Sequence, residues 1–317
     1  MQTDDTLQFA DAHICVFAPW PLFTVTVERL HADRDEVYFN PGGQAVWVAR
    51  MIGGLGARPT LVGPFGGEAR VVLEAMIRAE DIGLRAVPVR GSNGGYLNDR
   101  RDGSRETIAE VEPPRLDRHE VDDVYNAVLS ESLRAGTAVV TGVPDGAVLP
   151  VETYGRLVND LKANGIAVVA DVAGTVLAAI ESGLTTLKVS HEEMQAAGLI
   201  SGDSTKTIIK GMERLREKAE NVVVSRAGAG CLALMDGELL EATGPELQAL
   251  DPTGAGDSMT AALAVACAAK LDPSDALRLA TAAGALNVTR RGRGTGRIDD
   301  ILALADRVQI ERLGGKA

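Results

Sequence analysis

Residues 251–258, Asp-Pro-Thr-Gly-Ala-Gly-Asp-Ser, combine glycines with carboxylates, the residue types that could bind an anion and transfer a proton beside it. The glycines let backbone N–H groups converge, and the apolar run 259–269 that follows predicts a helix. The N-terminus of such a helix attracts a phosphate, and the carboxylate of Asp257 beside it could accept a proton from a hydroxyl group. A Gly-Ala-Gly run is also common as a plain helix start, so the segment alone leaves phosphoryl transfer and a structural turn both open. The candidate catalytic residues are Asp257, Gly254, Ala255 and Gly256.

Alternating strand and helix patterns surround this segment and would position it. Strands are predicted at residues 13–17, 59–62, 137–141, 166–171, 185–189 and 221–225. Helices are predicted at residues 43–55, 68–80, 117–134, 151–164 and 205–218. The alternation predicts an α/β fold, one domain over residues 1–317, with a mainly parallel central sheet and helices on both faces. Ligands of such sheets bind at the carboxyl ends of the strands.

Two stretches, residues 22–40 and 84–112, break this alternation because neither shows a helical pattern. Both contain strand-like segments and turns, and they predict a small β lid that stands off the main sheet. A lid would close over the substrate and exclude water, which phosphoryl transfer to an alcohol rather than to water requires.

The composition limits the partners of the protein. The net charge is −12, whereas a nucleic acid demands a basic surface, so no nucleic-acid partner is expected. The three cysteines are far apart and odd in number, which is typical of reduced core residues in a cytoplasmic protein. The polar, acidic start is unlike a signal peptide, and the apolar run 261–269 is too short to span a bilayer, so no membrane association is expected.

The chain resembles the ribokinase-like (PfkB) carbohydrate kinases over nearly its whole length. Residues 251–258 match the signature of that family, and Asn40-Pro41-Gly42-Gly43-Gln44 matches its second motif, in a form similar to the branch of 1-phosphofructokinase and tagatose-6-phosphate kinase. The resemblance implies a ribokinase-like three-layer sandwich with a lid. It also implies ATP and Mg²⁺ as cofactors, a sugar or sugar-like alcohol as the acceptor of the γ-phosphoryl group, and a possible homodimer through the lid.

The resemblance also assigns binding residues. The acceptor would contact Gly42, Gly43, Gln44 and Trp47. The nucleotide would contact Lys188, Ser225, Gly228, Gly230, Thr253, Gly284 and Asn287. Glu193 matches the glutamate that organises the water shell of magnesium in the family.

The sequence departs from the family pattern mainly on the acceptor side. Four polar ligands of the family are replaced, two of them cationic: the replacing residues are Leu22, Gln44, Trp47, and either Gly95 or Tyr96. Beyond the acceptor side, Ser190 stands where the metal motif has Asn, and Ala227 where the nucleotide loop has Gly.

The substitutions predict an apolar, aromatic wall made by Trp20, Leu22 and Trp47, although Trp47 at helical spacing is equally well explained as a core residue. A basic cluster, Arg290, Arg291, Arg293 and Arg297, is interpreted as a solvated loop in preference to a phosphate site. Two alternatives to a sugar kinase therefore stay open, a nucleoside kinase on the same fold and a degenerate nucleotide-binding regulatory protein.

Overall fold

The computed structural model describes residues 9–31, 34–113, 115–143, 148–290 and 292–314, so Arg291 of the basic cluster lies outside the described residues. The strands are β1 His13–Phe17, β2 Leu22–His31, β3 Arg34–Gly42, β4 Arg58–Gly66, β5 Gly83–Val89, β6 Gly95–Asp99, β7 Glu106–Val111, β8 Thr137–Thr141, β9 Ala167–Asp171, β10 Leu184–Ser190, β11 Ala219–Ser225, β12 Cys231–Met235, β13 Glu238–Thr243 and β14 Gln309–Arg312. The helices are α1 Gln44–Gly54, α2 Ala69–Ala79, α3 Arg118–Ala135, α4 Glu152–Ala163, α5 Gly174–Ala179, α6 His191–Ala196, α7 Thr205–Leu215, α8 Ala255–Ala268, α9 Pro273–Val288 and α10 Ile298–Ala305.

Ten strands form the central sheet, in the order β14-β13-β12-β11-β10-β9-β8-β1-β4-β5. The strands from β11 to β5 run parallel, and β12, β13 and β14 extend the sheet antiparallel at one edge. The parallel strands are short apolar runs with both faces covered, as in β8, where all five residues are buried. The predicted α/β fold with a mainly parallel sheet is confirmed.

Helices cover both faces of this sheet and make two separate apolar layers. In β1, alternate side chains enter different layers: Ile14 and Val16 pack in the layer of α1, α8 and α9, whereas Cys15 and Phe17 pack in the layer of α3 and α4. The start of α3 is a capping box between Asp117 and Glu120. Within the described residues, no helix combines the length and the apolar character needed to cross a bilayer.

A second sheet of four strands, which we call the small sheet, has the order β3-β2-β6-β7. It takes its strands from both stretches that lack helices in the sequence, but not from the whole of the second. Strand β5 pairs with β4 at the edge of the central sheet, so residues 84–89 of the predicted lid range belong to the main body. No helical pattern separates β5 from the strands that follow, so the sequence does not distinguish the two sheets to which these strands belong.

Candidate active site

The candidate catalytic segment forms the start of α8. Gly254 is the residue before the helix and adopts a left-handed conformation, with φ of 87°, which a side chain would strain. The loop ahead of it is braced, because Asn287 Nδ2 donates to the Thr253 carbonyl at 2.9 Å and the Gly294 N–H donates to Asn287 Oδ1 at 2.9 Å. The first N–H groups of this 14-residue helix therefore point from a fixed turn toward one place, which suits an anion.

Asp257 lies in the first turn of α8 and is only 9% exposed. Burial raises the pKa of this carboxyl to about 7, and repulsion from Asp171 acts in the same direction, whereas attraction to Lys188 opposes the rise. The group therefore exchanges its proton near neutral pH, where a general base works best.

Lys188 lies directly beneath the start of α8, in a buried ion pair with Asp171. Its Nζ is 3.2 and 3.3 Å from the two carboxylate oxygens of Asp171, and the side chains are 7% and 3% exposed. Burial acts to lower the pKa of Lys188, but attraction to Asp171, Asp257 and Glu193 outweighs it and raises the pKa above its usual value. A Cβ built on Gly256 would lie 2.5 Å from Lys188 Nζ, so the ammonium touches the backbone of the catalytic turn.

Asp171 was not assigned a role from the sequence, although it is a charged residue that closes an apolar strand. Its second partner is Thr260 on α8, whose hydroxyl donates to Asp171 Oδ2 at 2.7 Å. Asp171 therefore ties the lysine and the catalytic helix to the end of β9.

The Gly-Gly motif forms the start of α1, which packs against α8. Gly43 has φ of 100°, and a Cβ there would lie 2.7 Å from the Trp20 carbonyl oxygen, so this position requires glycine. Gln44 Oε1 accepts the Gly142 N–H at 3.3 Å, and the side chain of Gln44 acts to lower the pKa of Asp257. The structure thus places Gln44, predicted as an acceptor ligand, near the candidate base, where its side chain favours the ionised carboxylate.

A cavity of about 340 Å³ opens between the small sheet, α1 and the segment after α9. Its wall includes Gly42, Trp47 and a polar face of the small sheet; that face consists of Thr24, Thr26, Glu28, Tyr38 and Asn40. The volume is at the small end of the roughly 300–1,000 Å³ typical of ligand sites.

The apolar wall predicted for this cavity is largely wrong. Of its three members only Trp47 lines the cavity; Leu22 is buried, and Trp20 donates its indole N–H to the Asn93 carbonyl at 2.6 Å. Four arginines line the cavity instead: Arg50, Arg100, Arg105 and Arg293. Arg293, assigned from the sequence to a solvated loop, is half-buried and stacks on Trp47, with its guanidinium carbon 4.7 Å from the ring centroid.

The structure brings some of the residues assigned to the nucleotide close together and places others elsewhere. Ser190 and Ser225 are paired at the carboxyl ends of the neighbouring strands β10 and β11, next to the turn that contains Gly228 and Gly230. Gly284 is buried where α9 packs on α8, and a Cβ built on it would lie 2.8 Å from the Met259 side chain. The side-chain amide of Asn287 already forms hydrogen bonds with the backbone of Thr253 and Gly294. A contact of any of the assigned residues with a nucleotide stays a prediction.

Glu193 forms a capping box with Ser190 at the start of α6. One carboxylate oxygen accepts the Ser190 N–H at 2.7 Å, and the Glu193 N–H donates to the Ser190 hydroxyl at 3.1 Å. In the part of the chain that the structure describes, no group of three or more histidine, cysteine or acidic side chains could hold a metal by itself. A divalent cation at this site would therefore need ligands from water or from a substrate.

The comparisons with known proteins agree with this geometry. The profile of the pfkB family carbohydrate kinases matches residues 22–300. The 1-phosphofructokinase of Bacillus subtilis (strain 168) is 25% identical, over 86% of this chain and 89% of its own. The ATP-dependent 6-phosphofructokinase isozyme 2 of Escherichia coli (strain K12) is 26% identical, over 80% of this chain and 83% of its own. The crystal structure of phosphofructokinase-2 from Escherichia coli in complex with potassium superposes with a TM-score of 0.83 at 21% identity, over 93% of this chain and 98% of that one.

Proposed function

The chain belongs to the pfkB family of carbohydrate kinases, and from this premise we propose that it transfers the γ-phosphoryl group of ATP to a hydroxyl of a sugar or sugar-like alcohol. The observation that carries the proposal is the buried Asp257, in the first turn of a helix whose N-terminus suits an anion. A positioned carboxylate beside an anion site is what phosphoryl transfer to a hydroxyl requires. The protein is accordingly a phosphotransferase with an alcohol group as acceptor.

Different residues would serve three tasks in the reaction: binding, proton transfer and charge stabilisation. ATP would lie along the carboxyl ends of β10 and β11, near Ser225, Gly228 and Gly230, with its phosphates directed at the start of α8. Asp257 accepts the proton of the acceptor hydroxyl while the hydroxyl oxygen bonds to the γ-phosphorus and the bond to the ADP oxygen breaks. The N–H groups of the turn and the ammonium of Lys188 stabilise the negative charge on the group in transfer.

The residues present fit magnesium only with help from the nucleotide. Glu193 would act through water, since one of its carboxylate oxygens already holds the start of α6. Neutralisation of phosphate charge is the chemistry that Mg²⁺ supplies when bound.

The two alternatives are less well supported. The names of the relatives, both phosphofructokinases, favour a sugar acceptor over a nucleoside. A nucleobase is best held by apolar surfaces, whereas four arginines line this cavity. A regulatory protein without turnover would not need the combination of Asp257 and the anion site.

Release of ADP from MgATP tests the proposed function, with a panel of sugars, sugar phosphates, sugar acids, nucleosides and inositols as acceptors. Turnover on a sugar or sugar derivative, absent from an Asp257→Ala blank, supports the proposal. Turnover confined to nucleosides would replace it with the nucleoside kinase. ATP binding in the absence of turnover on any of the compounds would favour the regulatory protein.

The small sheet also supports a homodimer. Its face opposite the cavity is apolar, because residues that alternate with the polar ones share that side: Val25, Val27, Val37, Phe39, Leu97 and Val111. Val37, Phe39 and Val111 are 51, 55 and 57% exposed. An exposed apolar sheet face of this kind is typical of a contact between proteins, and we propose a second copy of the chain as the partner. A cytoplasmic location is part of the same proposal, supported by three free cysteines.

A double substitution, Val37→Asp with Phe39→Asp, is expected to convert the dimer to a monomer, because it places charge in the centre of the apolar face. Light scattering coupled to size-exclusion chromatography measures the mass of each variant. Val71→Asp is the matched control, since Val71 is an exposed valine on α2 in the main body. A wild-type protein that is monomeric at micromolar concentration would contradict the homodimer.

A further inference from the structure

Three arginines that line the cavity come from two separate places in the chain, the β6–β7 connection and the segment after α9. Arg100 follows β6, Arg105 precedes β7, and Arg293 follows α9. All three line the cavity that also contains Gly42 of the Gly-Gly motif and Asp251 of the catalytic segment. The fold therefore brings arginines to the acceptor side of the candidate site, where two cationic residues of the family pattern are replaced in this sequence.

Carboxylates of the protein neutralise the positive charge of these three arginines only in part. Among the described residues, Arg100 alone of the three has carboxylates at ion-pair distance, Glu28 and Asp251, each at 3.9 Å. Arg105 Nε donates to the amide oxygen of Asn98 at 3.2 Å, which is a neutral partner. Burial lowers the pKa of Arg293, and repulsion from Arg105 and Arg100 lowers it further.

Arg293 is also held in place from two sides. Its guanidinium lies over the ring of Trp47, and its backbone carbonyl accepts a hydrogen bond from Arg50 at 2.7 Å. Arg50 is itself fixed by two hydrogen bonds to the carboxylate of Glu80, at 2.6 and 2.8 Å. A guanidinium that is supported in this way loses little conformational freedom when it binds a ligand.

We propose that Arg100, Arg105 and Arg293 form an anion clamp that binds an anionic substituent of the acceptor, a phosphate ester or a carboxylate, away from the hydroxyl that receives the phosphoryl group. The proposal rests on the proposed function, because it concerns the acceptor of the same reaction. An anion between the three guanidinium groups relieves their mutual repulsion and accepts charge-assisted hydrogen bonds from them. A neutral sugar leaves the cations without that partner, so the anion clamp makes the enzyme selective for charged acceptors.

The first test compares kcat/KM for sugar phosphates and sugar acids with the values for the parent neutral sugars. The wild-type enzyme is expected to favour a charged acceptor by a hundredfold or more. Arg105→Ala and Arg293→Ala are each expected to lower kcat/KM on that acceptor by roughly tenfold to a hundredfold, the scale of one hydrogen bond to a charged group, mainly through KM. The parent neutral sugar should lose less than threefold, and Arg105→Lys and Arg293→Lys should restore part of the activity. A loss of kcat/KM in the arginine variants on sugar phosphates identifies a phosphate ester as the substituent, and a loss on sugar acids identifies a carboxylate.

Arg101→Ala is the matched control, because Arg101 lies in the same β6–β7 connection but is paired with Asp99 and Asp35 and does not line the cavity. It should leave kcat/KM unchanged on every acceptor. Equal wild-type activity on charged and neutral acceptors would overturn the anion clamp, and so would arginine variants that lower both activities equally.

A second measurement separates the anion clamp from the proposed function. Inorganic phosphate is titrated into the protein without nucleotide and followed by calorimetry. Weaker binding in Arg105→Ala and Arg293→Ala, with binding kept in Arg101→Ala, supports the anion clamp even if no acceptor turns over. An affinity that is the same in all four proteins overturns it.

Discussion

An Asp257→Asn enzyme is expected to lose roughly two to four orders of magnitude in kcat, the usual scale for a positioned general base. The amide keeps the size of the carboxyl but cannot accept the proton of the acceptor hydroxyl. Binding of ATP should be retained, because the backbone N–H groups at the start of α8 and Lys188 are unchanged. Steady-state kinetics and nucleotide titration measure the two effects separately.

The pH profile gives this prediction a second readout. Because the pKa of Asp257 is raised to about 7, kcat/KM of the wild-type enzyme should fall as the pH drops below about 7 and the base takes up a proton. The residual activity of Asp257→Asn should lack this step. Asp299→Asn makes the same chemical change in the exposed first turn of α10 and should leave both readouts at wild-type values. Undiminished turnover in Asp257→Asn would remove Asp257 from the mechanism.

Lys188→Met is expected to destabilise the protein by about 3–5 kcal/mol, because it leaves the carboxylate of Asp171 buried without its cation. Met fills a similar volume but supplies neither charge nor hydrogen bonds to the two oxygens that Lys188 contacts. Urea unfolding followed by circular dichroism measures the free energy of unfolding. The double variant Lys188→Met with Asp171→Asn should recover part of the loss, since the unpaired charge is then removed.

Lys210→Met controls for the loss of a surface charge, because Lys210 is an exposed lysine of α7. Its free energy of unfolding should stay within about 0.5 kcal/mol of the wild-type value. A Lys188→Met protein as stable as this control would show that the buried pair is not needed to keep Asp171 satisfied.

The sequence predicted the parts of the site that are local in the chain. Gly254 and Asp257 lie within one helix turn, so their spacing predicts a helix start with a carboxylate in its first turn, and the structure has both. Their roles as anion site and base stay predictions. The capping box at the start of α3 is equally local, since two residues three positions apart, Asp117 and Glu120, form it. The parallel sheet was predicted from the alternation of strand and helix patterns, and each of these patterns is set by residues close together in the chain.

The parts that depend on contacts between distant residues were beyond the sequence. Arg100, Arg105 and Arg293 meet at the cavity only because the small sheet packs against the main body. Gln44 stays a predicted acceptor ligand, but nothing in the sequence indicates that the contact of α1 with α8 would also bring its side chain near Asp257. Asp171 was overlooked because its partners are 17 and 89 residues away.

The small sheet is a single layer, and in the proposed homodimer its two faces would meet different partners, the acceptor on one side and a second copy of the chain on the other. Thr24 and Thr26 face the cavity, while Val25 and Val27 between them face outward, so one backbone serves both sides. If binding on one face changed the order of that backbone, the other face would change with it, and the two proposed binding events would share a coupling free energy. By reciprocity, the factor by which a bound acceptor strengthens self-association equals the factor by which self-association strengthens acceptor binding. The apparent affinity for the acceptor would thus depend on the concentration of the protein itself.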